Sequence, residues 1–159
     1  MQLPITQVSV FLDNRPGSLF EAMSQLDRNQ IKVFALSIAD AGEFGLVRII
    51  TEDPVKAVNL LEEAEFNLAK SKKNTEVTAT FITEKDTLSK ITKILGDGGI
   101  NIEYAYSSAI HVDGKVALIL RPSNVQEAEQ MLSANGIAIL SLNEIKDTSN
   151  KNRVFTIWR

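Results

Sequence analysis

The chain of 159 residues contains no cysteine and a single histidine, His111. The first absence excludes disulfides, thiolate metal sites and cysteine nucleophiles, and the second leaves little scope for zinc or a histidine-based triad. Aromatic residues are only 6% of the chain, and the net charge is −3. A general nucleic-acid footprint needs a basic face, so nucleic acid is not expected as a partner. No apolar run is long enough to span a membrane, and the Met1-Gln2-Leu3-Pro4 start lacks the basic segment and apolar core of a signal peptide. The expected location is cytoplasmic, with no membrane contact.

What is present is a duplication. Leu19, Ala22, Met23, Leu26 and Ile31 recur as Leu88, Ile91, Thr92, Leu95 and Ile100 with every spacing kept. Each copy reads strand, helix, strand, strand, helix, strand. The expected fold class is therefore α+β: two ferredoxin-like βαββαβ sandwiches side by side, with antiparallel sheets and helices on one face. The expected domains are 1–74 and 75–146, followed by a polar tether and an extra strand within 147–159. Units this small bury only about 60% of their unfolded surface, so the copies are expected to share stability.

In the first copy, Val8 to Leu12 has the β-branched and aromatic content of a strand, stopped by Asp13-Asn14-Arg15-Pro16-Gly17. Leu19, Ala22, Met23 and Leu26 form an apolar stripe at helical spacing, and Ser18 with Glu21 has the spacing of a capping box. Residues 31–38 and 44–50 read as a hairpin in which Gly42 takes positive φ. Asp53 suits an N-cap and Pro54 the first helical position, with Val55, Val58 and Leu61 as the buried side. A fourth strand is expected from Phe66.

The second copy repeats this order. A strand over 77–82 precedes a helix starting near Asp86, whose stripe is Leu88, Ile91 and Leu95 and whose end is Gly98-Gly99. Residues 100–109 and 115–120 flank an Asp113-Gly114 turn. Ser123 with Gln126 gives a further capping-box spacing, and 137–145 is expected to close the unit as a strand. Arg153 to Trp158 reads as a strand with no counterpart in the first copy.

The loop Asn14-Arg15-Pro16-Gly17-Ser18-Leu19 resembles the Asp/Asn-Arg-Pro-Gly-x-Leu strand-to-helix junction of ACT domains, and Gly99-Ile100-Asn101-Ile102 resembles the entry to their second strand. The chain thus looks like a tandem ACT-domain protein over residues 4–146. Each motif is complete in one copy only. Lys32 stands at the Asn101 position of copy one, and copy two has Thr83-Glu84-Lys85-Asp86-Thr87-Leu88 in place of the Pro-Gly loop. The resemblance implies a regulatory module that binds a free amino acid where two modules meet. Its site residues would be Asn14, Arg15, Pro16, Gly17, Ser18, Leu19, Ile100 and Asn101. Leu12 stands where serine-regulated members use a histidine.

The chemistry of such a site follows from the ligand. A free amino acid brings a carboxylate and an ammonium, each of which needs partners when desolvated. Gly17 and the first N–H groups of the helix suit the carboxylate, and the Asn14 and Asn101 amide oxygens suit the ammonium. An apolar ligand side chain would contribute about 1.5–3 kcal/mol on burial. Tyr104 and Tyr106 share a strand face and are expected to be packing residues, and His111 a surface residue. The acidic run Glu62-Glu63-Ala64-Glu65 and the basic Lys70-Ser71-Lys72-Lys73 are read as solvated surface.

No nucleophile, metal set, cofactor motif or phosphate loop stands out, so a non-catalytic role is expected. A partner enzyme or regulator acted on in trans and a homodimer are both consistent with small sandwiches that expose edges. The competing reading is a structural or protein-interaction module that has lost its ligand.

Overall fold

The computed structural model describes residues 5–112 and 115–147, with the side chains of 110–112 excepted. The His111 side chain, the Asp113-Gly114 turn and the Arg153 to Trp158 strand lie outside the described residues. The chain divides into two compact units: Thr6–Thr75, and the residues from Glu76 onward together with Ile5.

The first unit runs β1 (Val8–Asp13), α1 (Ser18–Arg28), β2 (Val33–Ala41), β3 (Phe44–Thr51), α2 (Pro54–Glu63), β4 (Asn67–Leu68) and the short α3 (Lys72–Thr75). β1 lies between β3 and β4, and β3 between β1 and β2, all antiparallel. Alternation along β1 turns Val8, Val10 and Leu12 to one face, where they meet Val47 and Ile49 of β3. α1 adds Ala22 and Leu26 to this core, and α2 adds Ala57 and Leu61. Full burial of each leucine contributes about 1.5–3 kcal/mol.

The second unit runs β5 (Thr78–Ile82), α4 (Leu88–Asp97), β6 (Ile102–Val112), β7 (Lys115–Pro122) and α5 (Val125–Ala134). β7 pairs antiparallel with both β5 and β6. Its core repeats the first: Leu118 and Leu120 pack with Ile91, Leu95, Ala128 and Leu132. Gly98 gives room to Met131, whose sulfur occupies the space a Cβ there would take.

The duplication extends to the helix ends. α1, α2, α4 and α5 each stop in a Schellman motif, in which the N–H two residues past the cap reaches back to the carbonyl of a buried leucine. The bonds are Ile31 to Leu26, Phe66 to Leu61, Ile100 to Leu95 and Ile137 to Leu132, at 2.9–3.0 Å. The residue before each of these has positive φ: Gln30 at 59°, Glu65 at 66°, Gly99 at 74° and Gly136 at 79°. The second copy uses glycine there and the first does not.

Several expectations are corrected. The Ser18–Glu21 capping box is absent: Gly17 is the N-cap, no side chain caps α1, and Glu21 faces Arg15 instead. Asn124, not Ser123, caps α5, accepting from the Glu127 N–H, because Ser123 is engaged with Asn101. α4 begins at Leu88, close to the expected start near Asp86, with Thr87 as its cap. Val55 is 71% and Leu88 49% exposed, so the buried stripes start later, at Ala57 and Ile91.

The closing strand over 137–145 does not form. Residues 137–141 are irregular and 142–147 are helical. Ser141 and Glu144 cap each other reciprocally, the Glu144 N–H donating to Ser141 Oγ and the Ser141 N–H to Glu144 Oε1. That box starts a helical turn in place of a ladder. The segment still meets β5, through the Leu140 N–H to the Ala79 carbonyl and Thr80 Oγ1 to the Ala138 carbonyl.

Candidate functional site

The strand-to-helix loop of the first unit is tied to the β2–β3 hairpin. The Asn14 N–H donates to the Glu43 carbonyl at 2.9 Å, and Asn14 Nδ2 donates to the Gly42 carbonyl at 2.9 Å and to Asp40 Oδ1 at 3.4 Å. Gly42, at φ 83°, also donates its N–H to Asp40 Oδ1, so the turn holds its own acceptor for the loop. Two oxygens facing Nδ2 fix the orientation of the Asn14 amide, and its Oδ1 keeps acceptor capacity.

Pro16 and Gly17 then turn the chain into α1. Gly17 has φ 86°, a left-handed conformation that favours glycine, and open space lies where a side chain would start. Ser18 is buried, while Leu19 is half-buried beside the core. Asp53, Thr87 and Asn124 each accept an N–H at the start of α2, α4 and α5, whereas α1 begins without a side-chain cap. The Ser18 N–H donates to the Arg15 carbonyl at 3.3 Å and the Glu21 N–H to the Gly17 carbonyl at 3.0 Å, which leaves the Leu19 and Phe20 N–H groups, without an intrahelical acceptor, for another oxygen.

Arg15 is engaged by acids of its own loop. Its guanidinium lies 3.1 Å from Glu21 Oε2 and 3.7 Å from Asp13 Oδ2, with half of the side chain exposed. The hydrogen bond and charge of Glu21, with a smaller contribution from Asp13, raise the Arg15 pKa above its ordinary value. The side chain is cationic throughout, and it already faces two carboxylates.

In the second unit, Ile100 is buried and Asn101 is exposed at the entry to β6. The Asn101 N–H donates to Ser123 Oγ at 3.2 Å, and the Ser123 N–H returns to the Asn101 carbonyl at 2.8 Å. Lys32 occupies the same frame in the first unit: its N–H donates to Glu52 Oε1 and its carbonyl accepts from the Glu52 N–H. The backbone geometry is duplicated and the side chain it presents is not. Asn14 belongs to the first unit and Asn101 to the second.

The second-copy loop is closed on itself. The Thr83 N–H donates to the Asp86 carbonyl, the Asp86 N–H donates to Thr83 Oγ1, and Lys90 Nζ meets Asp86 Oδ1 at 2.7 Å. Sequence reasoning missed the Asp40–Gly42 turn as the anchor of Asn14. An aspartate two residues before a hairpin glycine is the signal that could have found it. Among the described residues no group of three His, Cys, Asp or Glu side chains could hold a metal ion, and no helix is long and apolar enough to cross a membrane.

Comparison with known proteins adds three findings. The sequence matches a family described as an ACT domain pair over residues 3–148. No curated protein matches it. Among solved structures, a Bacteroides thetaiotaomicron protein is similar at 28% identity and TM-score 0.79, over 91% of this chain and 96% of that one. The ligand-free regulatory subunit of aspartate kinase from Thermus thermophilus is similar at 14% identity and TM-score 0.58, over 83% and 93%. The corresponding subunit from Thermus flavus gives 16% identity and TM-score 0.55, over 90% and 93%. The two aspartate kinase subunits bear on the fold alone.

Proposed function

The chain belongs to the ACT domain pair family, and from that premise we propose that it is a non-catalytic regulatory module binding one free amino acid between its two ACT-like domains, residues 1–74 and 75–146. The observation that carries this reading is the start of α1. Alone among α1, α2, α4 and α5, it has no side-chain cap, and it stands beside an asparagine whose amide nitrogen is engaged and whose oxygen is an acceptor.

In this reading the ligand carboxylate takes the Leu19 and Phe20 N–H groups at the start of α1, where the helix dipole favours negative charge, and Gly17 lets it approach the backbone. The ammonium takes Asn14 Oδ1 from one domain and the Asn101 side chain from the other. Pro16, Ser18, Leu19 and Ile100 shape the two approaches: Pro16 sets the turn of the first unit, Ser18 and Leu19 lie at the start of α1 behind it, and Ile100 packs in the core of the second unit. Arg15 contributes little, because Glu21 and Asp13 already neutralise it.

The closed Thr83–Asp86 loop and Lys32 leave the opposite pairing without a counterpart, which supports one site per chain. Such a module would act on a partner enzyme or regulator in trans, in the cytoplasm and as a homodimer.

The test is a thermal-shift screen against the twenty amino acids at millimolar concentration. A ligand bound only by the native state adds about 2.7 kcal/mol at one hundred times its Kd. The reading requires a shift with one or a few amino acids that is lost in Asn14→Ala and in Asn101→Ala. A shift retained in both variants would place the ligand elsewhere.

A further inference from the structure

α1 and α5 end alike down to the side chain of the cap. Asn29 closes α1 at φ −100° and ψ 12°, and Asn135 closes α5 at φ −99° and ψ 15°. Each donates its side-chain Nδ2 to the carbonyl four residues back, Asn29 to Gln25 at 2.7 Å and Asn135 to Met131 at 2.8 Å. Both asparagines are exposed, and the residue after each has positive φ. The two ends differ in that next residue: Gln30 follows Asn29, whereas Gly136 follows Asn135, in the only Asn-Gly step of the chain.

That difference decides which asparagine can react with its own backbone. The amide nitrogen of the following residue, once it has lost its proton, can attack the asparagine Cγ. The N–Cγ bond forms, the Cγ–Nδ2 bond breaks, and Nδ2 takes up a proton and leaves as ammonia. The resulting succinimide then consumes one water. Opening at Cγ gives aspartate, and opening at the main-chain carbonyl gives isoaspartate, in which the backbone runs through the former side chain. A side chain on the attacking residue obstructs ring closure, and Gly136 has none.

The folded helix end restrains both reacting groups. The Gly136 N–H donates to the Ser133 carbonyl at 3.0 Å, and the Asn135 amide is held on Met131. Reaction therefore waits for the last turn of α5 to open, a local event of low cost at an exposed helix end.

The product would undo what this end holds. A carboxylate at position 135 loses the donor to the Met131 carbonyl and places negative charge at the negative end of the helix dipole. Isoaspartate also adds a methylene to the backbone between the α5 cap and Gly136, which shifts the buried Ile137 relative to the Leu132 carbonyl that its N–H meets at 3.0 Å. Next along the chain are the two bonds that fasten this segment to β5, Thr80 Oγ1 to the Ala138 carbonyl and the Leu140 N–H to the Ala79 carbonyl, each 2.8 Å.

We propose that Asn135 is a site of spontaneous deamidation gated by the last turn of α5, and that its isoaspartate form releases the 137–141 segment from β5. This is independent of the ligand reading, since it involves neither Asn14 nor Asn101.

The test is incubation of the native chain in mildly alkaline buffer beside a free peptide of residues 131–139, followed by peptide mapping with mass spectrometry. The expected result is aspartate and isoaspartate at position 135, formed several-fold more slowly than in the peptide, with Asn29 intact. Gly136→Gln should abolish the conversion, and Gln30→Gly, which leaves the second unit unaltered, should make Asn29 reactive. An intact Asn135 after the peptide has fully converted would overturn the proposal. So would conversion as fast as in the peptide, or an Asn29 that stays inert in Gln30→Gly. In the isolated isoaspartate form, hydrogen exchange should quicken several-fold at the Ile137 and Leu140 amides and stay unchanged at Ile31. Unchanged exchange at Ile137 and Leu140 would overturn the release of the segment.

Discussion

Substituting the paired helix ends in opposite directions should change stability with opposite signs. Gly99 and Gln30 hold the same position of the Schellman motif, at φ 74° and 59°. A Cβ at Gly99 meets nothing within 4 Å, so Gly99→Ala carries no steric term beyond the backbone. A left-handed conformation costs an L-residue about 1–2 kcal/mol, and replacing glycine restricts the unfolded chain by about 0.4–1 kcal/mol in the other direction. The difference leaves Gly99→Ala destabilised by roughly 0.5–1 kcal/mol. Gln30 is exposed, so Gln30→Gly removes the same conformational cost without losing buried surface, and the expected gain is of similar size. Urea unfolding followed by far-UV circular dichroism reads both as midpoint shifts at constant m. Shifts of the same sign, or destabilisation by Gln30→Gly, would refute the argument that the two copies end their helices by one mechanism.

Three further outcomes follow from the caps and cores. Asp53→Ala, Thr87→Ala and Asn124→Ala should each cost about 0.5–2 kcal/mol in denaturant unfolding, while Ser18→Ala, which removes no cap, should not show that penalty through capping. Leu95→Ala, at a site with 0% exposure, should cost about 2–5 kcal/mol by the same assay. Arg15→Ala should change the thermal shift given by an amino-acid ligand far less than Asn14→Ala, because Arg15 is an exposed ion-pair member.

The repeat, the alternation of strands and helices and the Asp53-Pro54 helix start were legible because each is written in residue type and spacing. Ala22, Leu26, Ile91 and Leu95 are buried where helical periodicity puts them. What failed was local competition between equally good signals. Ser18 and Ser123 both have capping-box spacing, yet Gly17 and Asn124 take the cap positions, since Ser18 is drawn into the core and Ser123 closes the entry to β6. The Ser141–Glu144 box is hidden in the sequence by the apolar run at 137–142, and it converts the end of that run into a helical turn. Gln30 and Glu65 gave no sign of positive φ, because the residue type that announces it is glycine. At the site, the sequence pointed to Asn14 and Asn101 as residues. The division of Asn14's amide between a hairpin carbonyl and a free acceptor depends on a turn about 28 residues away in the chain, which only folding brings near.

Equilibrium dialysis of the purified chain against an equimolar mixture of the twenty amino acids, with amino-acid analysis of what is retained, tests the central claim most directly. The account predicts retention of one amino acid, or a small group of similar ones, saturating at one molecule per chain. Retention of none, or saturation at two per chain, would contradict a single site built from Asn14 of one copy and Asn101 of the other.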